Sequence, residues 1–421
     1  MRQTKLIGVV TLLAMAGAAS AAPNARLLAA AQAARPAQLK LLESVVNIDS
    51  GTGDVEGGRK VAAVLIPRLK ALGATIETVP AELPGLPDNI VATVTGTGKA
   101  RILMIGHIDT VFPPGTVAKW PFRVDGDIAH GPGVGDEKGG VVEGLTALQI
   151  LHDFGFKDFA KITLLIETSE ERGSPGTRQL IDRLIGAHDV ELNLEPGDSP
   201  DMITVWRKGS TALTIDVAGK AAHAGVAPQD GHNAAVELVH QLGLLGLPPA
   251  PGATSVFPVS GDGLTVNLTL MAAGTRNNII PDHASATFSV RVRDAADTDK
   301  VEARMKANAA NIAVPGTSVT IHREGNYPPL SNNPGTDALA ARATAIYAGL
   351  GRTLAKGGNG GASESALAAA KGVPALDGLG PVGGKFHSDG EYIDLTTVTP
   401  RLYLLTELLM QLGQNGAPKG R

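Results

Sequence analysis

The segment LLIETSEERGS, residues 164–174, places two adjacent glutamates, Glu170 and Glu171, directly after an apolar run. Such a run is typical of a buried strand, and neighbouring side chains on an extended chain point to opposite faces. If the chain stays extended here, the two carboxylates face different surroundings and have different tasks. In open α/β sheets, sites form beyond the carboxyl ends of the strands, so this segment predicts a site at one edge of a sheet.

Strands and helices alternate on both sides of this segment. Predicted strands are ATIETV, NIVATVTG, RILMIGHIDT, KITLLIETSEE and DVELNLEPG; predicted helices are PAQLKLLESVVNI, EGGRKVAAVLIPRLKALG, DEKGGVVEGLTALQILHDFG and SPGTRQLIDRLIG. This alternation is typical of βαβ units. It predicts an α/β fold with a mostly parallel sheet.

The pattern changes between residues 209 and 327, where strands follow one another between helices. This favours a small α+β domain with an antiparallel sheet. Because the α/β pattern resumes afterwards, we expect this domain to be an insertion. The predicted division is a signal peptide over 1–21, a main domain over 22–208 and 328–421, and an inserted domain over 209–327. Residues 246–263 and 415–421 read as a surface loop and a frayed tail.

The first residues have the pattern of a secretory signal. MRQTK is basic, LIGVVTLLAMAG is a short apolar core, and AASAA ends in small residues, which predicts cleavage near Ala21. An uncleaved anchor is the alternative, although the apolar core is shorter than the roughly 20 residues that span a bilayer. The prediction is an exported protein, periplasmic or secreted, without a membrane partner.

Composition narrows the remaining classes. A chain of 421 residues is longer than one hydrophobic core usually serves, which favours two domains. With 37 Lys and Arg against 41 Asp and Glu there is no basic stripe, which argues against a nucleic-acid partner. The chain has no cysteine, so a metal site must use histidine and carboxylate ligands.

Histidine or acidic residues recur where predicted strands and loops end. The motifs are GHIDT (His107, Asp109), GPGVGDEKGG (Asp136), ETSEERGS (Glu170, Glu171), NLEPG (Glu195) and KFHSDGEY (His387). Each alone is ambiguous, because a single histidine after a strand is often a structural hydrogen-bonding group. Together they predict one site beyond the ends of the strands.

These motifs, with GKAAHAG and NNIIP, occur in the order that marks the M20 family of co-catalytic zinc peptidases. The chain resembles most closely the glutamate carboxypeptidases of the carboxypeptidase G2 type, and the likeness covers nearly the whole mature chain. The resemblance implies a zinc-exopeptidase-like catalytic domain with an inserted dimerisation, or lid, domain.

The resemblance also implies roles for the motif residues. Two zinc ions per subunit would be bridged by Asp136, with His107 and Glu195 completing one site and Glu171 and His387 the other. Glu170 would be the general base, and Asp109 would hydrogen-bond the imidazole of His107. The Asp136–Glu137 peptide bond would be cis.

Further implied residues concern the substrate. His223, in the inserted domain, would stabilise the oxyanion in the partner subunit of a homodimer; a local hydrogen bond is the alternative. Asn278 and Arg293 would hold the substrate carboxylate, although a surface salt bridge is the other reading for Arg293. Gly360 and Gly361 would contact the substrate backbone.

Three positions depart from the family pattern. Arg291 stands where an aspartate is common, Glu364 follows Ser363 in the glycine-rich loop, and Asn326 stands where glutamate-specific enzymes carry a second basic residue. None is an implied ligand. They leave the preferred side chain of the substrate open.

The predicted function is a zinc-dependent exopeptidase acting on a small molecule or short peptide. It would cleave the amide bond to a C-terminal amino acid, with glutamate as one candidate, in N-acyl amino acids, folate-like conjugates or short peptides. An aminoacylase or deacylase of small N-acyl amino acids is the alternative. A periplasmic binding protein without catalysis would lack ligands or the base, and all of them are present.

Overall fold

The structure is a computed structural model that describes residues 22–248, 263–331 and 333–418, without the side chain of Asn326. The predicted signal peptide and most of the predicted loop 246–263 therefore lie outside the described residues. In the described part, no helix combines the length and the apolar character needed to cross a membrane.

The described helices are α1 (Ala25–Val46), α2 (Val55–Ala71), α3 (Thr116–Lys119), α4 (Lys138–Asp153), α5 (Arg178–Gly186), α6 (Ala234–Leu244), α7 (Ala295–Ala309), α8 (Pro334–Gly349), α9 (Ser365–Ala370) and α10 (Leu395–Asn415). Helix α1 begins earlier than predicted, because the sequence pattern starts it at Pro36. Pro36 instead lies inside α1, and Pro400 likewise lies inside α10. These two helices pack against each other and against α4, and such tertiary packing can outweigh the bond that proline removes.

The described strands are β1 (Thr75–Val79), β2 (Asn89–Thr95), β3 (Arg101–His107), β4 (Arg123–Asp125), β5 (Ile128–His130), β6 (Lys161–Glu167), β7 (Val190–Asn193), β8 (Met202–Arg207), β9 (Gly209–Ala218), β10 (Ala222–His223), β11 (Thr265–Ala273), β12 (Ile279–Ile280), β13 (His283–Val292), β14 (Ser318–Tyr327), β15 (Ala355–Asn359), β16 (Ala375–Leu376), β17 (Gly383–Gly384) and β18 (Tyr392–Asp394).

The central sheet has the order β1-β2-β6-β3-β7-β16. Strands β6, β3, β7 and β16 are parallel, whereas β1 and β2 join antiparallel at one edge. Strands β3 and β6 are almost entirely buried, as expected of a sheet covered on both faces. The fold is thus α/β with a mostly parallel sheet, as predicted.

The inserted α+β domain has its own antiparallel sheet, ordered β11-β13-β9-β14. Strands β9 and β13 alternate between buried and partly exposed residues. Their buried side chains form a separate apolar core, to which α6 and α7 contribute Leu238 and Met305. One face of this sheet is therefore packed, and the opposite face carries mostly polar residues of both strands.

Candidate metal centre and active site

The carboxyl ends of three central strands meet at one edge of the main sheet. His107, the last residue of β3, lies opposite Glu167, the last residue of β6. On its other side, β3 pairs Ile105 with Asn193, the last residue of β7. Residues that directly follow β6 and β7 therefore lie beside His107, and these include the glutamates singled out from the sequence.

Asp136 lies between two histidines. Its Oδ1 is 3.1 Å from Nε2 of His107, and its Oδ2 is 3.1 Å from Nε2 of His387. A second carboxylate approaches each imidazole: Oε1 of Glu195 is 3.7 Å from His107 Nε2, and Oε2 of Glu171 is 3.1 Å from His387 Nε2. The five implied ligands are thus brought together, with one carboxylate shared between two groups.

The turn of Glu170 and Glu171 differs from the extended chain assumed above. Both residues lie in a short 3-10 helix, Glu170–Arg172, so the expectation based on strand alternation was wrong. Asp109 helps to hold the turn, since its two carboxylate oxygens accept the backbone N–H groups of Glu170 at 3.1 Å and Glu171 at 3.3 Å. The side chains still separate: Glu171 lies by His387, whereas Oε2 of Glu170 is 3.9 Å from Nε2 of His107.

Asp109 has this task in addition to its contact with the imidazole of His107. Nδ1 of His107 is 2.9 Å from the main-chain carbonyl oxygen of Asp109 and 3.5 Å from its carboxylate, so the carbonyl is the nearer acceptor. The carboxylate also accepts a hydrogen bond from Thr52 Oγ1 at 2.6 Å. An N–H at Nδ1 leaves the lone pair of Nε2 directed toward Asp136, which is the tautomer a metal ligand needs.

The loop before α4 contains residues that the sequence reasoning missed. The Asp136–Glu137 peptide bond is cis, as predicted. Glu137 is buried, with Oε2 at 3.6 Å from His107 Nε2. Glu391 accepts the backbone N–H groups of Gly135 at 2.9 Å and Asp136 at 3.1 Å, which fixes the loop. Glu137 and Glu391 both lie within the motifs quoted above, so their acidic side chains were the signal that could have identified them.

A buried cation, Arg207, was also missed. Its guanidinium donates to Asp377 at 2.6 and 2.7 Å and to Oε2 of Glu195 at 3.2 Å. This contact helps to orient Glu195, which is one of the implied ligands. A charged residue at the end of the apolar strand MITVWR is the signal that could have revealed it.

The electrostatics of the cluster favour added positive charge. Burial lowers the pKa of His107, but hydrogen bonds to Asp109, Asp136 and Glu195 outweigh it and raise the pKa well above its ordinary value. Hydrogen bonds to Asp136 and Glu171 raise the pKa of His387 to about 10. In the absence of a metal, the surrounding carboxylates thus stabilise protonated imidazoles.

Burial acts on the carboxylates as well. Together with repulsion from Asp136, burial raises the pKa of Glu195 to about 7. Burial, then Glu364, raises the pKa of Glu170 well above its ordinary range. Carboxylate and imidazole donors with this surplus of negative charge suit divalent cations. Two groups of three residues each bring their ligand atoms close enough to share one ion. They are His107 with Asp136 and Glu171, and His107 with Glu137 and Glu195.

The other predicted residues lie apart from this cluster. His223 is exposed in the inserted domain, and its Nδ1 accepts N–H groups of Gly225 at 3.2 Å and Val226 at 3.1 Å. Asn278 is an exposed neighbour of that loop, its carbonyl accepting the N–H of Ala224 at 3.0 Å. The guanidinium of Arg293 stacks on Trp206, 3.7 Å from the ring centre.

Gly360 and Gly361 are exposed in the loop that follows β15. A Cβ added to Gly361 would lie 3.0 Å from Nη1 of Arg207. Through that arginine, this loop adjoins Glu195 and thus one side of the cluster.

Comparison with known proteins agrees with this geometry. Residues 103–411 match the model of peptidase family M20/M25/M40. The chain is 35% identical to carboxypeptidase G2 of Pseudomonas sp. (strain RS-16) over 98% of both chains. It is 30% identical to succinyl-diaminopimelate desuccinylase of Methylorubrum extorquens (strain PA1), over 84% of this chain and 93% of that protein.

A solved structure shows the same fold. The M20 family metallo-carboxypeptidase of Sulfolobus solfataricus superposes with a TM-score of 0.69 at 18% identity, over 90% of this chain and 98% of that one. The match to the family model spans most of the chain, including the strands that carry the metal cluster. The protein belongs to peptidase family M20/M25/M40.

Proposed function

We propose that this protein is a dizinc hydrolase that removes a C-terminal amino acid by cleaving the amide bond to it. The observation that carries the proposal is the shared carboxylate of Asp136, 3.1 Å from both His107 and His387, with Glu170 beside the pair. The similarity to carboxypeptidase G2 over 98% of the chain supports the exopeptidase assignment.

We assign His107 and Glu195 to one zinc ion and Glu171 and His387 to the other, with Asp136 between them. No thiolate is available, so the donors are nitrogen and oxygen, a set that leaves open positions in catalytic zinc sites. Two zinc ions bound there would polarise the amide oxygen and lower the pKa of a water held at the site.

Glu170 is the proposed general base. Its carboxylate lies within 3.9 Å of His107 Nε2 but is not needed to complete either ligand set. Burial raises its pKa well above the ordinary value of a carboxylate, which makes it a stronger base toward the attacking water. Glu170 would accept the proton of the attacking water and pass it to the leaving nitrogen.

The inserted domain supports a proposed homodimer. Strand β11 is an edge of its sheet and exposes Leu270 at 67% and Met271 at 64%. Exposed apolar side chains on an edge strand are typical of a surface that pairs with another chain. Because Nδ1 of His223 accepts backbone N–H groups, its Nε2 would carry a proton. In a dimer, that N–H could be donated to the oxyanion in the partner subunit.

The proposal also covers export and the acyl side of the substrate. The basic and apolar pattern of residues 1–21 supports export to the periplasm or the medium. The likeness to a desuccinylase supports deacylation of small N-acyl amino acids as the second candidate function. A cavity of about 700 Å³ beside Glu171, lined partly by Val111, Phe112 and Pro113, offers room for the acyl side in either case.

A pair of substitutions tests the proposal. We expect Glu170→Gln to keep both zinc ions and to lose activity on N-acyl amino acids by at least ~10²-fold, because it removes the base alone. Glu171→Gln, the matched control at the adjacent position, should lose zinc. Metal content and turnover are measured on the same preparations. A Glu170→Gln protein that lost zinc, or one that stayed active, would contradict the assignment.

A further inference from the structure

Tyr327 lies where the chain leaves the inserted domain. It is the last residue of β14 and pairs in register with Ser210 near the start of β9, so the entry and the exit of this domain meet here. Its side chain is buried, and the guanidinium of Arg178 in the main domain stacks on its ring, 3.8 Å from the ring centre. A buried phenol normally makes hydrogen bonds through its hydroxyl. The partners of this hydroxyl therefore show what the end of the inserted domain holds.

The hydroxyl of Tyr327 contacts two residues of the main domain. Its oxygen is 2.7 Å from Oε1 of Glu364, and it also contacts the hydroxyl of Ser174, which is 3.0 Å from the same carboxylate oxygen. Each hydroxyl has one hydrogen to donate, so two of these three contacts are hydrogen bonds at one time, and in either arrangement they end on Glu364. All three side chains are buried, so a bond left unmade among them is costly. We call these three residues the junction network.

One end of the junction network holds the turn that carries Glu170 and Glu171. The N–H of Ser174 donates to the carbonyl oxygen of Ser169 at 2.9 Å, which closes the turn around both glutamates. Ser174 has a φ of 57°, a left-handed conformation that residues with a Cβ rarely adopt. Its side-chain bonds help to keep it in this conformation. Asp109 thus holds the N–H groups inside the turn, and the junction network holds the residue that ends it.

The other end of the junction network adjoins an implied metal ligand. Oε2 of Glu364 accepts a hydrogen bond from Nδ2 of Asn193 at 3.2 Å, and Oδ1 of Asn193 accepts the backbone N–H of Glu195 at 3.0 Å. Glu364 therefore fixes the orientation of this amide, because a reversed amide would direct its NH₂ group toward the N–H of Glu195. One carboxylate thus connects Tyr327 with the turn of the base on one side and with Glu195 on the other.

We propose that Tyr327 is a positioning residue that holds Glu170 in the geometry of the proposed reaction, an inference that rests on the proposed function. Its buried hydroxyl acts through Ser174 and Glu364, and not on the substrate. Glu364 is one methylene longer than the aspartate of the family pattern, and it makes both contacts. Precise position matters for a base, because a displacement of about 1 Å can lower a rate by about 10²-fold.

Tyr327→Phe removes the hydroxyl and keeps the ring beside Arg178. Because Ser174 can still donate to Glu364, we expect kcat on an N-acyl-alanine to fall by about 10-fold, the loss of one hydrogen bond in a charged network. KM should change by less than about threefold, because no substrate contact is removed. Tyr347→Phe is the matched control, since the hydroxyl of Tyr347 is also buried but bonds to Asp201, at 3.1 and 3.3 Å from its two carboxylate oxygens. Its kcat should stay within about threefold of wild type.

Hydrogen exchange of backbone amides reports how the turn is held without any turnover. In zinc-loaded protein, peptides that cover residues 169–178 should exchange faster in Tyr327→Phe than in wild type, whereas peptides from β9 and β13 should not change. Tyr347→Phe should leave residues 169–178 as they are in wild type. A general loss of stability would instead speed exchange in all of these segments.

Ser174→Ala reaches the junction network from the side of the turn. Either single substitution leaves one hydroxyl bonded to Glu364, whereas the double variant leaves that buried oxygen without both donors. The loss of kcat in the double variant should therefore exceed the product of the two single losses. Losses that simply multiply would mean that the two hydroxyls act independently, which would overturn the inference.

Two further results would overturn it. They are kcat and exchange over 169–178 that do not change together in Tyr327→Phe, or equal effects of Tyr327→Phe and Tyr347→Phe. Zinc content and circular dichroism check that each variant is loaded and folded.

The exchange measurement separates this inference from the proposed function. If the wild type hydrolyses no N-acyl amino acid while exchange over 169–178 still depends on Tyr327, the proposed function fails and the hold of Tyr327 on the turn stands. If the wild type is active and Tyr327→Phe changes neither kcat nor exchange, the positioning role fails and the proposed function stands.

Discussion

Asp109→Asn tests how the turn that carries the two glutamates is held. The wild-type carboxylate accepts the N–H of Glu170 on Oδ1 and the N–H of Glu171 on Oδ2, and Thr52 donates to Oδ2. Asparagine keeps one acceptor oxygen and replaces the other with an amide donor. If the oxygen stays by Glu170, the new NH₂ group faces the N–H of Glu171. Thr52 can rotate its hydroxyl to accept, but a backbone N–H cannot.

The substitution therefore costs one hydrogen bond to a charged acceptor in a nearly closed site. Such bonds contribute about 1.5–3 kcal/mol, and a tenfold change in rate corresponds to about 1.4 kcal/mol. We expect kcat to fall on the order of 10- to 100-fold as the turn shifts. The imidazole of His107 should stay in place, because its Nδ1 bonds to the main-chain carbonyl of Asp109, which the substitution leaves intact.

The assay measures kcat on an N-acyl amino acid together with zinc content. Thr52→Val serves as the control: it removes one bond to the same carboxylate but leaves both N–H contacts, so its kcat should stay within about threefold of wild type. An Asp109→Asn protein with wild-type kcat would refute the role of the turn. Loss of zinc from the His107 side would instead show that the carboxylate, not the carbonyl, positions the imidazole.

Three further outcomes follow from the structure. Mixing His223→Ala with Glu170→Ala protein after reversible dissociation should restore about a quarter of wild-type activity if His223 acts across a dimer; confirmed subunit exchange without recovery would contradict this. The preference for N-acyl-glutamate over N-acyl-alanine should stay below roughly 10²-fold, about 2.7 kcal/mol, because the resemblance implies that Asn326 stands where glutamate-specific enzymes carry a second basic residue. Competition assays measure this ratio, and a larger ratio would require another cation. Burial lowers the pKa of His188 to about 4. The folded state thus resists protonation of this imidazole. The free energy of unfolding should therefore be highest above pH 6.5 and should fall by about 3 kcal/mol as the pH drops toward 4. Thermal melts of His188→Asn should show a smaller decrease over that range, and an equal decrease would exclude His188 as the cause.

The sequence predicted the convergence of the site because that convergence depends on topology alone. Parallel strands that end together bring the residues after them to one edge, and His107, Glu171 and Glu195 each follow or end such a strand. The apolar runs and the positions of their ends were sufficient to infer this. The order of strands in the sheet, including the antiparallel β1 and β2, depends on packing between distant segments and was not available from local patterns.

The roles of individual atoms were less accessible. Strand alternation predicted different surroundings for Glu170 and Glu171. Their side chains do separate, but not for that reason, because the chain leaves the extended conformation before it reaches them. The carboxylate that accepts the N–H groups of this turn belongs to Asp109, which is about sixty residues away in the chain and is reached only through tertiary contact. In the same way, the charge at the end of MITVWR marks Arg207, but the contact of Arg207 with Glu195 depends on the tertiary fold.

The arginines of VRVRD show how a strand end changes the meaning of a motif. Residues 291 and 293 have the same parity, so an extended chain would direct both to the same, polar face of the sheet. Strand β13 ends at Val292, however, and Arg293 stacks on Trp206 once it has left the strand. Only Arg291 keeps the orientation that the ladder imposes, at a position where the resembling family commonly has an aspartate.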